Sequence, residues 1–175
     1  MKLLLPFVLM SVTACHGEVV QTASDSAPAD AADAAVLAVA GGWSGSSTND
    51  STTCPGSFDI GAVTTSHVVI TQAGVDLTIK IDGLAAIGFQ EMFGLDTLTG
   101  TLAGDKITVK VVGIKEQTEA ATCKYKWKGV LEGTIKGTTM SGTTIYTPVV
   151  ISGGCTTKFL ECSRVQSFTT KRDPG

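Results

Sequence analysis

Side chains that commonly carry out catalysis are few in this chain and lie far apart in its sequence. Histidine occurs only at His16 and His67, and the carboxylate nearest to His67 in the sequence, Asp59, is eight positions away. A general base needs a partner and an orienting group close by. Asp76 and Asp82 share one face of a predicted strand about 20 Å apart, wider than the roughly 10 Å of a glycosidase pair. The sequence therefore predicts no catalytic site.

Sequence motifs for enzymatic chemistry are also missing. The chain contains no G-x-S-x-G nucleophile turn, no H-E-x-x-H zinc motif and no P-loop, which are the arrangements that hold a serine, a zinc ion or a phosphate. We therefore expect a protein that is not an enzyme and that needs no cofactor and no metal ion.

The start of the chain has the composition of an export signal. A basic residue, Lys2, precedes an apolar run over residues 3–12, and small residues stand just before Cys15, which is the order of parts in a secretory signal. A transmembrane helix needs about 20 apolar residues, so this run is too short to remain as a membrane span. We predict that residues 1–14 are a signal peptide removed during export.

The residues at the predicted cleavage point resemble the lipobox of bacterial lipoproteins. The matching segment is Val12-Thr13-Ala14-Cys15. The resemblance implies cleavage before Cys15 and a thioether from its sulfur to a diacylglycerol. It also implies a lasting membrane tether, because each lipid methylene buried in the bilayer contributes about 0.8 kcal/mol to membrane binding. His16 occupies the position where many Gram-negative lipoproteins carry an aspartate that retains them in the inner membrane, which implies the outer membrane as destination. An ordinary cleaved signal with a chance cysteine is the alternative.

Composition divides the rest of the chain into a linker and one domain. Residues 15–40 comprise Cys15 and a segment rich in Ala, Ser, Asp and Pro without a basic residue, which is typical of a flexible linker. Residues 41–175 carry equal numbers of acidic and basic side chains and suit a single β domain. The densest basic cluster, Lys124, Lys126 and Lys128, lies on one face of a predicted strand, so we expect no nucleic-acid partner.

Four cysteines remain once Cys15 carries lipid, namely Cys54, Cys123, Cys155 and Cys162. An even number in an oxidising compartment favours two disulfides over a metal site, and the chain has no C-x-x-C spacing. Three pairings are open. We favour Cys155 with Cys162 across a tight connection and Cys54 with Cys123 across a loop of about 70 residues, which would contribute roughly 4 kcal/mol.

Alternation of apolar and polar residues predicts β-strands along the whole domain. Leu77, Ile79 and Ile81 alternate with polar residues, the pattern of a half-buried strand. Residues 98–107 and 131–140 share the pattern L-x-G-T-aliphatic-x-G-x-x-apolar, in which glycine turns join neighbouring strands. The predicted strands cover residues 42–47, 67–72, 75–81, 87–93, 97–102, 106–114, 124–135 and 140–146, with a last strand near 159–169.

These strands predict an all-β fold, an antiparallel up-and-down meander of about eight or nine strands. Closure into a barrel avoids open edges, and folding over into a β-sandwich is the alternative. The segment Gly41-Gly42-Trp43 before this meander resembles the G-x-W opening of lipocalin-like (calycin) barrels. In that family the tryptophan closes one barrel end, often beneath an arginine from the last strand. The resemblance implies a Trp43–Arg164 pair, with Arg172 as second candidate.

Two features bear on whether this barrel has a cavity. Residues 85–95 are the least regular stretch, and we interpret them as a flap of adaptable apolar side chains over the barrel mouth, or as a core strand with Ile87, Phe89 and Phe93 inward. Gly129 and Gly133, on an inward face, either leave space or accept a packed aromatic ring. We favour packing, because side chains can just fill an eight-stranded barrel.

The resulting functional hypothesis is a membrane-tethered envelope protein that binds a small apolar ligand. The candidate pocket residues are the aromatic side chains Trp43, Phe89, Phe93, Tyr125 and Trp127. The alternative is a protein-interaction module with a filled core, such as an envelope scaffold or a periplasmic inhibitor.

Overall fold

A computed structural model describes residues 36–56, 58–120 and 122–175 of the chain. The predicted signal peptide, Cys15 and the linker up to residue 35 lie outside the described residues. The described residues form nine strands and two helices. The strands are β1 (Gly41–Thr52), β2 (Val63–Ala73), β3 (Asp76–Asp82), β4 (Thr97–Ala103), β5 (Lys106–Val112), β6 (Gln117–Ala120), β7 (Cys123–Lys136), β8 (Thr139–Ser152) and β9 (Arg164–Arg172), and the helices are α1 (Leu84–Phe93) and α2 (Thr157–Leu160).

The strands form one antiparallel sheet that closes on itself. Its order is β5-β4-β3-β2-β1-β9-β8-β7-β6, and a further pairing of β5 with β7 completes a barrel of eight strands. The short strand β6 pairs with the first residues of β7, beyond the stretch that pairs with β5. The predicted fold class is confirmed, and the sheet is a closed barrel rather than a sandwich.

Side-chain alternation explains how the sheet encloses a core. In β3, Leu77, Ile79 and Ile81 are buried while Asp76 and Lys80 are exposed. Because successive strand residues point to opposite faces, one apolar residue in two is enough to line the interior. Strand β7 follows the same rule, with its odd-numbered residues turned inward.

Residues 84–93 form helix α1 instead of the predicted strand over 87–93. Ala85, Phe89 and Phe93 are spaced by four residues, which places them on one helical face, and all three pack on the barrel core. The helix begins after Gly83 (φ 71°) and ends at Gly94, which adopts the left-handed conformation (φ 77°). A short apolar run does not distinguish a buried strand from a helix by periodicity alone.

The end of the chain also differs in detail from the prediction. Residues 157–160 form helix α2, whose Thr156 side chain accepts a hydrogen bond from the Phe159 backbone N–H, so β9 begins later, at Arg164. Strand β6 was not expected from the sequence, and β1 and β8 extend further than predicted.

Two disulfides are present, but they join different partners from those favoured above. Cys54 bonds to Cys162, and Cys123 bonds to Cys155. Strand register explains both, because Thr52 of β1 stands opposite Arg164 of β9, and the next residues beyond this pair bring Cys54 to Cys162. Likewise the start of β7 lies beside the end of β8, three residues before Cys155.

The segment before β1 packs against one end of the barrel. Val39 is fully buried, its backbone N–H donates to the Gln72 side chain, and its carbonyl accepts from the Trp43 indole N–H at 3.0 Å. The arginine at this end is Arg172, which stands opposite Trp43 and donates to the Ala38 and Ala40 carbonyls. Arg164, the first candidate partner of Trp43, lies at the other end of β1.

Candidate functional site

The interior of the barrel holds a cavity of about 100 Å³ that is partly open at its boundary. All eight barrel strands contribute to its lining, and helix α1 contributes Ala85 and Phe89. The cavity therefore lies inside the sheet, with α1 across one part of its boundary.

One wall of the cavity is purely apolar. It is built from four consecutive strands of the closed sheet, β3, β4, β5 and β7, and its side chains are Ile79, Ile81, Leu98, Ile107 and Leu131. Each belongs to an inward-facing row of its strand, so alternation alone places these side chains here.

The opposite wall carries all of the polar residues that line the cavity. Its strands β2, β1, β9 and β8 are also consecutive in the sheet. The polar residues that line the cavity are Ser47, Ser66, Thr144, Tyr146, Gln166 and Thr170. No charged side chain is among the described residues of either wall.

Hydrogen bonds connect part of the polar wall. The Tyr146 hydroxyl donates to Gln166 Oε1 at 2.8 Å, and Gln166 Nε2 donates to Asn49 Oδ1 at 2.6 Å. Burial raises the pKa of the Tyr146 phenol, so this group is neutral. Thr170 differs from them, because its Oγ1 is buried and has no hydrogen-bond partner among the described residues.

Helix α1 is held at its C-terminal end. The Phe93 carbonyl accepts hydrogen bonds from the backbone N–H groups of Ile114 (2.7 Å) and Lys115 (3.1 Å), and the Phe93 side chain is fully buried. The N-terminal half is more exposed, with Leu84 and Ile87 exposing 74% and 55% of their surface. Phe89, between these halves, is the large α1 side chain in the cavity wall.

Of the five aromatic candidates, the structure places only Phe89 in the cavity lining. Trp43 packs with Val39 in the core at the opposite end of β1 from the disulfide. The other three, Phe93, Tyr125 and Trp127, belong to a separate cluster around the disulfides.

Part of the polar wall was missed because polar residues occupy both faces of β9. In β9, Gln166 and Thr170 face inward while Ser167 and Thr169 stand between them, so the sequence alternates one polar residue with another. A pattern search for apolar alternation has no signal there. Only the apolar Phe168 marks which face is inside.

Aromatic rings fill the space left by the inward glycines. A Cβ on Gly133 would lie 3.0 Å from Cζ of Phe168, and one on Gly129 would lie 3.4 Å from Cζ of Phe93. The packed interpretation of these glycines is confirmed, and the cavity lies elsewhere in the interior.

The histidine of the domain has carboxylate partners that its own segment does not reveal. His67 Nε2 lies 3.1 Å from an Asp173 oxygen, and His67 Nδ1 lies 3.5 Å from an Asp82 oxygen. The Ser44 hydroxyl donates to Asp173 at 2.7 Å. Because both ring nitrogens face carboxylates and Ser44 bonds to Asp173, this cluster does not form the serine–histidine pair of a nucleophilic enzyme.

Arg164 forms a second polar feature outside the barrel interior. Its guanidinium carbon lies 4.8 Å from the centre of the Trp127 ring and 5.3 Å from that of Phe58. Burial lowers the pKa of this guanidinium. This geometry is that of a cation–π interaction with Trp127, a ring of the disulfide cluster.

Comparisons with protein-family models, characterised proteins and solved structures find no match. Within the described part of the chain, no helix has the length and hydropathy needed to cross a membrane. The same residues contain no group of three His, Cys, Asp or Glu side chains arranged to hold a metal ion.

Proposed function

We propose that this chain is a non-enzymatic lipoprotein of the bacterial cell envelope, tethered through Cys15, whose lipocalin-like barrel binds a small apolar ligand beneath α1. The observation that carries the binding proposal is the cavity inside the closed barrel, with one wholly apolar wall. A closed antiparallel barrel of eight strands is consistent with the lipocalin-like architecture.

The volume of the cavity limits the size of the ligand. An engineered apolar cavity of about 150 Å³ binds benzene. Sites for drug-sized ligands measure about 300–1,000 Å³. At about 100 Å³, the closed barrel suits a single small ring or a short chain, and a larger ligand requires α1 to move.

Helix α1 is the element that controls access to the cavity. Its C-terminal end is fixed by the Phe93 carbonyl, whereas its N-terminal half follows Gly83 and covers the interior with Ala85 and Phe89. Displacement of this half about its fixed end would uncover the cavity while leaving Phe93 in the disulfide cluster.

The polar groups in the cavity favour binding over a reaction. Tyr146 and Gln166 are hydrogen-bonded to each other, and burial keeps the phenol neutral by raising its pKa. Such groups orient a ligand, but they supply neither a base nor an activated nucleophile.

The predicted lipid anchor would place this binding site at the envelope. The support is the sequence of residues 1–15, with outer-membrane destination implied by His16. Membrane fractionation of the host tests it: we expect wild-type protein in the outer-membrane fraction with the mass of an acylated Cys15 terminus. Cys15→Ser should be absent from that fraction, and unlipidated wild-type protein would overturn the proposal.

Native mass spectrometry of protein purified from its host tests ligand binding. We expect a small molecule to remain bound to the wild-type domain and to be lost on unfolding. A domain that carries no small molecule and does not bind small apolar compounds added in excess would contradict the proposal.

An interaction module is the second candidate. Strand β8 extends to Ser152, and its Ile145, Val149 and Ile151 side chains are exposed. Exposed apolar side chains are typical of protein contacts when they form a patch. A partner protein that co-purifies with wild-type protein and is lost in the Val149→Ser/Ile151→Ser variant, together with an empty cavity, would favour this alternative.

A further inference from the structure

We infer that the ligand of the barrel is a neutral molecule with an apolar body and one hydroxyl or carbonyl group, which hydrogen-bonds to Thr170. The inference rests on the proposed binding function and adds the chemical class of the ligand. Its basis is the unequal distribution of polar groups over the cavity walls.

Strand order separates the polar groups from the apolar wall. Register places Gly45 of β1 opposite both Ser66 of β2 and Thr170 of β9, so two hydroxyl-bearing residues flank a position without a side chain. Both residues line the cavity. A ligand with a polar end would therefore meet hydroxyls here, while its apolar body would contact Ile79, Ile107 and their neighbours across the barrel.

Among the polar residues of this wall, Thr170 is the one whose hydroxyl is both buried and without a partner among the described residues. It exposes 5% of its surface, and its Oγ1 has no hydrogen-bond partner in the described part of the chain. Tyr146 and Gln166 already bond to each other. A buried hydroxyl without a partner is unfavourable, and a ligand group that hydrogen-bonds to it removes that cost.

Charged ligands do not fit the same cavity. Neither arginine of the last strand lines the cavity, since Arg164 lies against Trp127 and Arg172 donates to the carbonyls before β1. A carboxylate in this cavity would be a buried charge without a partner, which is strongly unfavourable. A free fatty-acid headgroup or a phosphate is therefore excluded from the interior.

Three probes of similar shape test the inference, namely toluene, phenol and benzoate. Phenol replaces the methyl group of toluene by a hydroxyl, and benzoate adds a charge. Affinities are measured by ligand-observed NMR titration with wild-type protein and with Phe89→Ala, whose larger cavity removes ring size as a limit.

We expect toluene and phenol to bind and benzoate not to bind. Thr170→Val preserves shape and removes the hydroxyl, so phenol should lose about tenfold in affinity while toluene is unaffected. Thr169→Val, on the exposed face of the same strand, is the matched control and should change neither affinity. The toluene affinity also verifies that each variant is folded.

The failures of the two proposals are distinguishable. The ligand class alone is overturned if Thr170→Val changes the affinities for phenol and toluene equally, or changes neither. It is also overturned if benzoate binds as tightly as phenol. If neither wild-type protein nor Phe89→Ala binds any of the three probes, both the binding function and this inference are overturned.

Discussion

The Phe89 ring lies 6.5 Å from the Tyr146 ring, centre to centre, with the two planes at 73°. This edge-to-face contact joins helix α1 to strand β8 at the boundary of the cavity, since both residues line it. Phe89 also stacks on Phe93, a member of the disulfide cluster, with 5.3 Å between the ring centres. One side chain thus links the cover of the cavity to its wall and to the fixed end of the helix.

Replacing Phe89 should weaken the fold and enlarge the cavity. Replacing a fully buried phenylalanine by alanine lowers the free energy of unfolding by about 3–5 kcal/mol. Because Phe89 is only half-buried, we expect a loss of about 2–3 kcal/mol for Phe89→Ala. Urea unfolding measures this loss. Naphthalene, which is too large for the closed barrel, should bind to this variant more tightly than to wild type.

Ile87→Ala is the matched control for that variant, since Ile87 lies on the same helix and is mostly exposed. Its unfolding free energy should stay within about 0.5 kcal/mol of wild type. Equal losses in the two variants would show that Phe89 does not contact the barrel as described.

The two disulfides should contribute unequally to stability. The Cys54–Cys162 bond joins residues 108 apart in sequence and the Cys123–Cys155 bond residues 32 apart. In the chain-entropy description the longer loop contributes about 5 kcal/mol and the shorter about 4 kcal/mol. Unfolding of the Cys54→Ala/Cys162→Ala and Cys123→Ala/Cys155→Ala variants measures the difference.

Peptide mapping without reduction provides the check on connectivity. It should recover peptides linked through Cys54 and Cys162, and others linked through Cys123 and Cys155. Recovery of a Cys54–Cys123 peptide would instead contradict the strand register that brings β1 and β9 together.

Removing the Thr170 hydroxyl should stabilise the ligand-free protein. A buried hydroxyl without a partner is unfavourable by about 1–3 kcal/mol, so Thr170→Val should raise the unfolding free energy by about 1 kcal/mol. Thr169→Val, at an exposed position, should have an effect within about 0.5 kcal/mol. A destabilised Thr170→Val would indicate that the hydroxyl is already satisfied in the free protein.

Alkaline pH should destabilise the barrel through its buried phenols. Burial raises the pKa of Tyr146 in the folded state, whereas the unfolded chain retains the ordinary value near 10. The stabilising contribution is therefore complete below about pH 10 and is lost as pH rises above it, by at most about 1.4 kcal/mol per pH unit. Urea unfolding at pH 8, 10 and 11 follows this loss.

Tyr146→Phe supplies the comparison that separates the contribution of this phenol from other effects of alkaline pH. The variant should be about 1 kcal/mol less stable at neutral pH, because Gln166 Oε1 loses its donor. Its stability should fall less steeply above pH 10. The same slope as wild type would mean that Tyr146 is not shielded from water.

The fold could be predicted largely because the decisive signal is local. Leu77, Ile79 and Ile81 alternate with polar residues, and this period of two identifies an inward face without knowledge of the neighbouring strands. Glycine turns then pair consecutive strands. Helix α1 was missed because apolar residues over 84–93 fill a short run in which strand and helix give similar patterns.

The candidate site was harder to predict because it depends on contacts distant in sequence. Cys54 meets Cys162 only because β1 and β9 become neighbours when the barrel closes. Thr170 faces inward between two polar outward residues, Thr169 and Lys171, so apolar alternation gives no signal at its position. Large aromatic residues drew attention instead, and Trp43 and Trp127 prove to be packed core.

Methyl NMR of isoleucine-labelled protein during a toluene titration tests most directly whether the barrel interior is a ligand site. The account predicts saturable shifts at the methyl groups of Ile79, Ile81 and Ile107, which line the cavity, and unchanged signals from the exposed Ile60 and Ile145. Shifts confined to the exposed isoleucines, or no shifts at saturating toluene, would contradict it.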